Sequence, residues 1–346
     1  MVEAGRNLGI VKPPGLSGSV AKIGKKMKRE NGRNIMKIGI VGLGSVGATI
    51  AYSIAVSGIA EQLVLVDKFS EKAIGEAMDL QHCASFIPPV EILAGEPHIC
   101  SSMDVVVITA GTKRKPDEQR TDLIKRNLAV IKDLSEGLTQ SNPNAIFIIV
   151  SNPVDLLTLY LTKHSSLEPR QIIGSGTLLD TSRFRHLISK RINVDPRNVH
   201  TYIIGEHGAG SIPVWSHAQI GTLHLDDFAE QSNITFGPDE KKRVFEDVLS
   251  AGKEVIKRKG ATFYGIAQTV LRILTAILRD EKSILTVSTK VQGYAGVNGL
   301  TLSLPVIVGR RGVEKSPVPN LNREEIDGFQ KAAESLKATA MDVGIL

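Results

Sequence analysis

Cysteine is scarce in this chain: Cys83 and Cys100 are the only two in 346 residues. That number is too low for a disulfide framework and points to a reducing, cytoplasmic setting. No apolar run approaches the roughly 20 residues of a spanning helix, which argues against a membrane protein. No serine stands in a G-x-S-x-G elbow, so hydrolase chemistry has no support. Metal chemistry lacks its ligands too. His82-Cys83 and His98-x-Cys100 have no second pair at a matching spacing, and no metal is expected. No internal repeat is present.

The chain also lacks a basic body, although its formal net charge is +6. Eight of the 42 Lys and Arg, but only two of the 36 acids, fall within residues 1–35, and the rest is balanced. The excess belongs to a Gly/Pro/Lys-rich stretch without a secretory apolar core or the composition of a transit peptide. Residues 1–35 therefore read as a basic, disordered extension or an early start, with Met36 opening the folded part. A nucleic-acid partner is not expected.

What is present is an α/β rhythm. The runs "MKIGIV" (36–41), "LVLV" (63–66), "DVVVIT" (104–109) and "AIFIIV" (145–150) are Val/Ile-rich without polar alternation, as in strands buried on both faces of a parallel sheet. Helical patterns at 46–58, about 70–84 and 121–140 separate them, as in a doubly wound sheet. Beyond about residue 175 the texture changes. Segment 239–259 is amphipathic, with Val244, Phe245, Val248, Leu249, Val255 and Ile256 on one face. Residues 284–313 read as antiparallel strands broken by glycines. The final helix should be capped by Asn322 and bury Ile326, Phe329 and Leu336. The expected fold is α/β: a Rossmann doubly wound parallel sheet over 36–174, then a mixed α+β substrate domain over 175–346.

"GIVGLGSVGATIA" sets Gly42, Gly44 and Gly47 as G-x-G-x-x-G between a strand and a helix. The first glycine permits the turn, the second lets a pyrophosphate approach, and the third allows close helix–strand packing. The helix start then favours phosphate. The second strand ends at Asp67, where a carboxylate binds a ribose diol and repels a 2′-phosphate; the cofactor expected is NAD.

Four further stretches carry the chemistry: "AGTKRKPDEQR" (110–120), "VSNPVD" (150–155), "GSGTLLDTSRFR" (174–185) and "VHTYIIGEHG" (199–208). With the fingerprint, in this order and at these separations, they closely resemble the L-lactate/malate dehydrogenase family from Met36 to the C-terminus. The resemblance implies an NAD-dependent dehydrogenase acting on the CH–OH group of a 2-hydroxy acid. His207 is then the proton donor and acceptor, Asp180 its supporting carboxylate, and Arg183 the grip on the substrate carboxylate. Arg120 polarises the carbonyl, while Asn152 and Thr262 line the pocket. It completes the cofactor set with Ser45, Val46, Lys72, Ala110, Gly111, Val150 and Asn152. The charge-rich stretch 110–120 becomes a lid that excludes water.

Substrate choice turns on Arg114. Malate enzymes of this family usually carry Arg there and lactate enzymes Gln, and a second substrate carboxylate in a closed site needs a cationic partner. Malate/oxaloacetate interconversion is therefore the expected reaction. Glu118, "GEHG" (205–208) and "IPVW" (212–215) resemble the lactate type, so L-lactate dehydrogenase is the alternative. A non-catalytic NAD-binding structural protein is a distant third. Asp117 replaces the glycine usual after Pro116, and Ala209 the acid usual after "GEHG". Arg185 and His200 match the basic pair that binds fructose 1,6-bisphosphate in allosteric bacterial lactate dehydrogenases. The resemblance also implies a homotetramer, or at least a dimer.

Overall fold

The computed structural model describes residues 36–112, 119–317 and 319–346, apart from the Arg120 side chain. The extension 1–35 and Arg114, Asp117 and Glu118 lie outside the described residues.

Strand β1 (Lys37–Val41) turns at Gly42 into α1 (Ser45–Ser57), followed by β2 (Gln62–Val66), α2 (Ser70–His82) and β3 (Glu91–Gly95). Then come β4 (Val105–Ile108), α3 (Arg120–Ser141), β5 (Ile146–Ile149), α4 (Val154–His164) and β6 (Ile172–Gly174). These six strands lie parallel in the order β3-β2-β1-β4-β5-β6, the arrangement of a dinucleotide-binding doubly wound sheet. Strands β2, β4 and β5 are buried throughout, which accounts for their unbroken apolar runs. Two strands escaped the sequence pattern. β3 sits at the sheet edge with only Ile92 and Ala94 buried, and β6 is three residues long.

The second half runs through α5 (Leu178–Ile192), β7 (Val199–His200), β8 (Ile203–Gly205), β9 (Ser211–Pro213), β10 (Gln219–Ile220) and β11 (Leu223–His224). It continues with α6 (Leu225–Gln231), α7 (Pro238–Lys259), α8 (Tyr264–Leu278), β12 (Ser283–Tyr294), β13 (Val297–Gly309), β14 (Gly312–Lys315) and α9 (Arg323–Asp342). The β12–β13 pair is the antiparallel hairpin expected from 284–313. It turns at Ala295-Gly296, where both residues have positive φ (49° and 78°), as a two-residue hairpin requires.

The two halves share one sheet. β12 joins β6 antiparallel at Ser288–Gly174, and β13, β8 and β9 extend the sheet beyond it. One apolar core accordingly runs from Ile38 and Leu65 through Phe147 to Leu302 and Phe329. A smaller core under α5 and α7 gathers Phe184, Ile188, Phe236, Val244 and Val248, with Trp215 edge-on to Phe184 at 4.6 Å.

Two expectations need correction. On α7 Val244 and Val248 are buried and Phe245 half-buried, whereas Leu249, Val255 and Ile256 are exposed. The later turns have left the small core and border a cleft instead. In α9 Phe329 and Leu336 are buried, but Ile326 is half-buried and its neighbour Glu325 takes the interior place. That carboxylate accepts the Ser216 N–H (2.9 Å), the Ser216 hydroxyl (2.6 Å) and the Asn322 N–H (3.1 Å). The Asn322 cap forms as expected, its Oδ1 accepting the Glu325 N–H at 2.9 Å. No helix among the described residues is long and apolar enough to cross a membrane.

Candidate active site

A cleft of roughly 740 Å³ opens between the glycine turn and the start of α8. At one end β1 hands the chain to α1 through Gly42, whose φ of +99° suits glycine and whose missing Cβ leaves room for Ala110. A Cβ on Gly47 would stand 1.9 Å from the Gly42 carbonyl oxygen, so that glycine permits the helix to sit against the strand end. A Cβ on Gly44 would meet nothing within 4 Å, because this backbone faces the open cleft. α1 has no side-chain cap and no acid in its first turn, which keeps its N-terminal dipole available to an anion.

Asp67 accepts the Leu43 N–H (2.7 Å) and the Phe69 N–H (3.1 Å), one on each oxygen. Its carboxylate thus braces the glycine turn while lone pairs remain for a diol. A dinucleotide fits this cradle. Gly44, Ser45, Val46, Gly47, Gly111, Val150 and Asn152 line the cleft. Gly42, Asp67 and Ala110 sit behind or beside that lining, and Lys72 is exposed on α2 outside it.

The other end holds the chemistry. Asp180 lies in the first turn of α5, with its side chain only 8% exposed. Its Oδ2 stands 2.6 Å from His207 Nδ1, and its Oδ1 accepts from Arg183 Nη1 at 2.9 Å. Burial works against a protonated His207, but the hydrogen bond and charge of Asp180, aided by Asp155, hold its pKa above the usual histidine value. Burial likewise tends to raise Asp180, yet His207 and Arg183 outweigh it and keep the carboxyl below its usual range. With Nδ1 engaged, Nε2 is the nitrogen left for a substrate, and the His207 side chain is 31% exposed. Arg183, Asn152 and Thr262 line the same cleft. Arg120 opens α3, but its side chain is not among the described atoms, and Arg114 lies outside the described residues.

Arg185 and His200 do not line the cleft. Arg185 donates from Nε to the Thr201 carbonyl at 3.0 Å and lies over the Tyr202 ring, while His200 is exposed on β7.

Two contributors had escaped the sequence reading. Asn127, buried on α3, accepts the Thr112 N–H (2.8 Å) and hydroxyl (3.0 Å) on Oδ1 and donates from Nδ2 to the Asn152 carbonyl (2.7 Å). It ties the loop after β4 to the Asn152-Pro153 turn, whose peptide bond is cis. Asp155, also buried, reaches the main chain of His207 at 2.8 Å. Its signal was there: a carboxylate inside the otherwise apolar helix "VDLLTLYL" has to be buried for a reason.

A doubly wound sheet with a phosphate cradle at one end of a cleft and a carboxylate-supported histidine at the other defines an NAD-dependent dehydrogenase of 2-hydroxy acids. Comparison with known proteins gives the family. Residues 36–174 match the description "lactate/malate dehydrogenase, NAD binding domain", and residues 177–343 match "lactate/malate dehydrogenase, alpha/beta C-terminal domain". The chain belongs to the lactate/malate dehydrogenase family, and its cofactor is NAD.

An L-lactate dehydrogenase of Clostridium botulinum (strain Loch Maree / Type A3) is 48% identical over 307 residues, covering 89% of this chain and 96% of that protein. An L-lactate dehydrogenase of Thermoanaerobacter sp. (strain X514) is 45% identical over 309 residues, with 89% and 99% covered. Among solved structures, a minor L-lactate dehydrogenase from Enterococcus mundtii in its ligands-bound form superposes with a TM-score of 0.86 at 35% identity, covering 89% and 98%. These relatives overturn the malate expectation. It rested on Arg114 alone, and a sequence position does not say which way a side chain faces. The lactate-like background at Glu118, 205–208 and 212–215 was the better guide.

Proposed function

We propose that this chain is an L-lactate dehydrogenase interconverting pyruvate and L-lactate. The observation that carries the reading is the L-lactate dehydrogenase name borne by relatives at 45% and 48% identity over 89% of the chain. In this reading residues 36–174 are the NAD-binding unit and 175–346 the substrate unit.

Bound NADH supplies the hydride that reduces C2 of the 2-oxo acid. The residues of the chain do the rest. Protonated His207 gives its Nε2 proton to the developing alkoxide oxygen, and the Asp180 carboxylate fixes the ring and stabilises its positive form. Arg183 presents a planar guanidinium to the substrate carboxylate, which two parallel hydrogen bonds orient. The family resemblance assigns Arg120 to polarising the carbonyl, and Asn152 and Thr262 line the cleft.

Steady-state NADH oxidation with pyruvate and with oxaloacetate, on one preparation, tests the substrate. The expected result is a higher kcat/KM for pyruvate; a preference for oxaloacetate sinks the reading.

The chain is also inferred to act as a homo-oligomer, a dimer or tetramer. Support comes from exposed apolar side chains on and beside α1 and α2, namely Tyr52, Val56, Phe69, Met78 and Phe86. Sedimentation velocity is expected to show a species of two or four chains, and a single-chain mass at working concentration would contradict this.

A further inference from the structure

Asp155 stands at the second position of α4, the helix that follows the Asn152-Pro153 turn, and its side chain is sealed from solvent. A lone carboxylate in an apolar helix is costly to bury unless its oxygens are satisfied. Here each has a donor. Oδ2 accepts the His207 N–H at 2.8 Å, and Oδ1 accepts the Ser288 hydroxyl of β12 at 2.6 Å. The Asp155 carbonyl accepts the Thr301 hydroxyl of β13 at 2.7 Å. The residue therefore pins the main chain of the catalytic histidine to the same turn that carries Asn152, and anchors both to the central hairpin.

We propose that Asp155 is a positioning residue for proton transfer: it fixes the backbone of His207 independently of Asp180 and holds a second negative charge beside the imidazole. The proposal rests on the assignment of His207 as proton donor. Two carboxylates, from α4 and α5, then act on one ring. Asp180 addresses Nδ1 directly, and Asp155 acts through the backbone and through its charge. Among the described residues, Arg183 on α5 opposes the protonation of the ring, Glu206 is its neighbour in the chain, and Lys253 of α7 lines the same cleft.

Burial pushes the Asp155 carboxyl up to about 6, against the pull of Ser288 and of the His207 N–H and charge, with Glu206 pushing the same way as burial. Above that pH the group is charged, and it favours the protonated histidine. Pyruvate reduction needs that proton. Its kcat/KM must fall as pH rises through the pKa of His207, and Asp155 should set how far up the scale the fall begins.

The test is the pH profile of kcat/KM for pyruvate in wild type and Asp155→Asn. Asparagine keeps an acceptor for the His207 N–H but no charge. The expected result is a descending limb displaced to lower pH by about one unit, the scale of one nearby charge. Asp155→Ala, which also removes the acceptor, should lower kcat at every pH. An unmoved limb in folded Asp155→Asn overturns the proposal. Should that variant not fold, Ser288→Ala decides the matter. It takes away one donor that stabilises the carboxylate, so the limb should move the same way by a smaller step, and an unmoved limb refutes the idea. Failure of the underlying assignment looks different: wild type would then show no descending limb at all.

Discussion

His207→Gln is expected to lower kcat for pyruvate reduction by roughly 10²- to 10⁴-fold, the range that a positioned general acid contributes. Glutamine keeps a polar side chain in the cleft but offers no proton at neutral pH. Binding of NADH should be little changed, because the phosphate cradle lies at the other end of the cleft. The wild-type pH profile gives the complementary reading. The raised pKa of His207 keeps it protonated above the usual histidine range, so pyruvate reduction should persist there and fail as pH climbs through that value. Lactate oxidation, which needs the neutral ring, should rise over the same window. Stability follows the same sign. The contribution of the His207–Asp180 pair is complete below the unfolded histidine value and fades as pH rises through the folded one. At the acid end it is lost as pH falls through the lowered pKa of Asp180. Stopped-flow measurement of a single turnover separates chemistry from product release, and an unaltered chemical step in His207→Gln would remove the histidine from its assigned role.

The second large effect belongs to Arg183. Arg183→Lys keeps the charge but loses the fork, and with it a charged hydrogen bond worth about 1.5–3 kcal/mol. The expected outcome is a KM for pyruvate raised roughly 10- to 100-fold, with a smaller loss in kcat. The contact between Arg183 Nη1 and Asp180 gives the experiment its second arm. If kcat falls and KM stays put, the arginine works through Asp180 on the histidine rather than on the substrate. Steady-state curves at several pH values distinguish the two.

How far the sequence revealed this site depended on the span of each interaction. The glycine turn is local: Gly42, Gly44 and Gly47 fall within six consecutive residues, and their spacing alone dictates the turn. Strands β2, β4 and β5 are similarly plain, because burial on both faces leaves almost nothing but apolar residues, Gln62 being the exception. The histidine, its carboxylate and the arginine were read from resemblance, and the fold brings Asp180 to His207 across 27 positions. Asp155 meets His207 across 52 positions and Ser288 across 133, contacts that no local pattern encodes. Its only local mark is a charge among leucines. Asn127 had less still, since an asparagine in a charge-rich helix reads as surface until the turn at Asn152 is packed against it. Arg114 shows the opposite error: a residue type argued persuasively for an orientation that sequence does not contain.

The junction at Ser288–Gly174 has a consequence for how the molecule can be taken apart. A single sheet runs through both halves, so neither is a cassette that could be excised, swapped or expressed alone with its surface intact. Separating the halves there would take one neighbour each from β6 and β12 and turn the middle of a sheet into two bare rims, each prone to recruit other chains. In this chain the change of texture near residue 175 is not a break in the sheet.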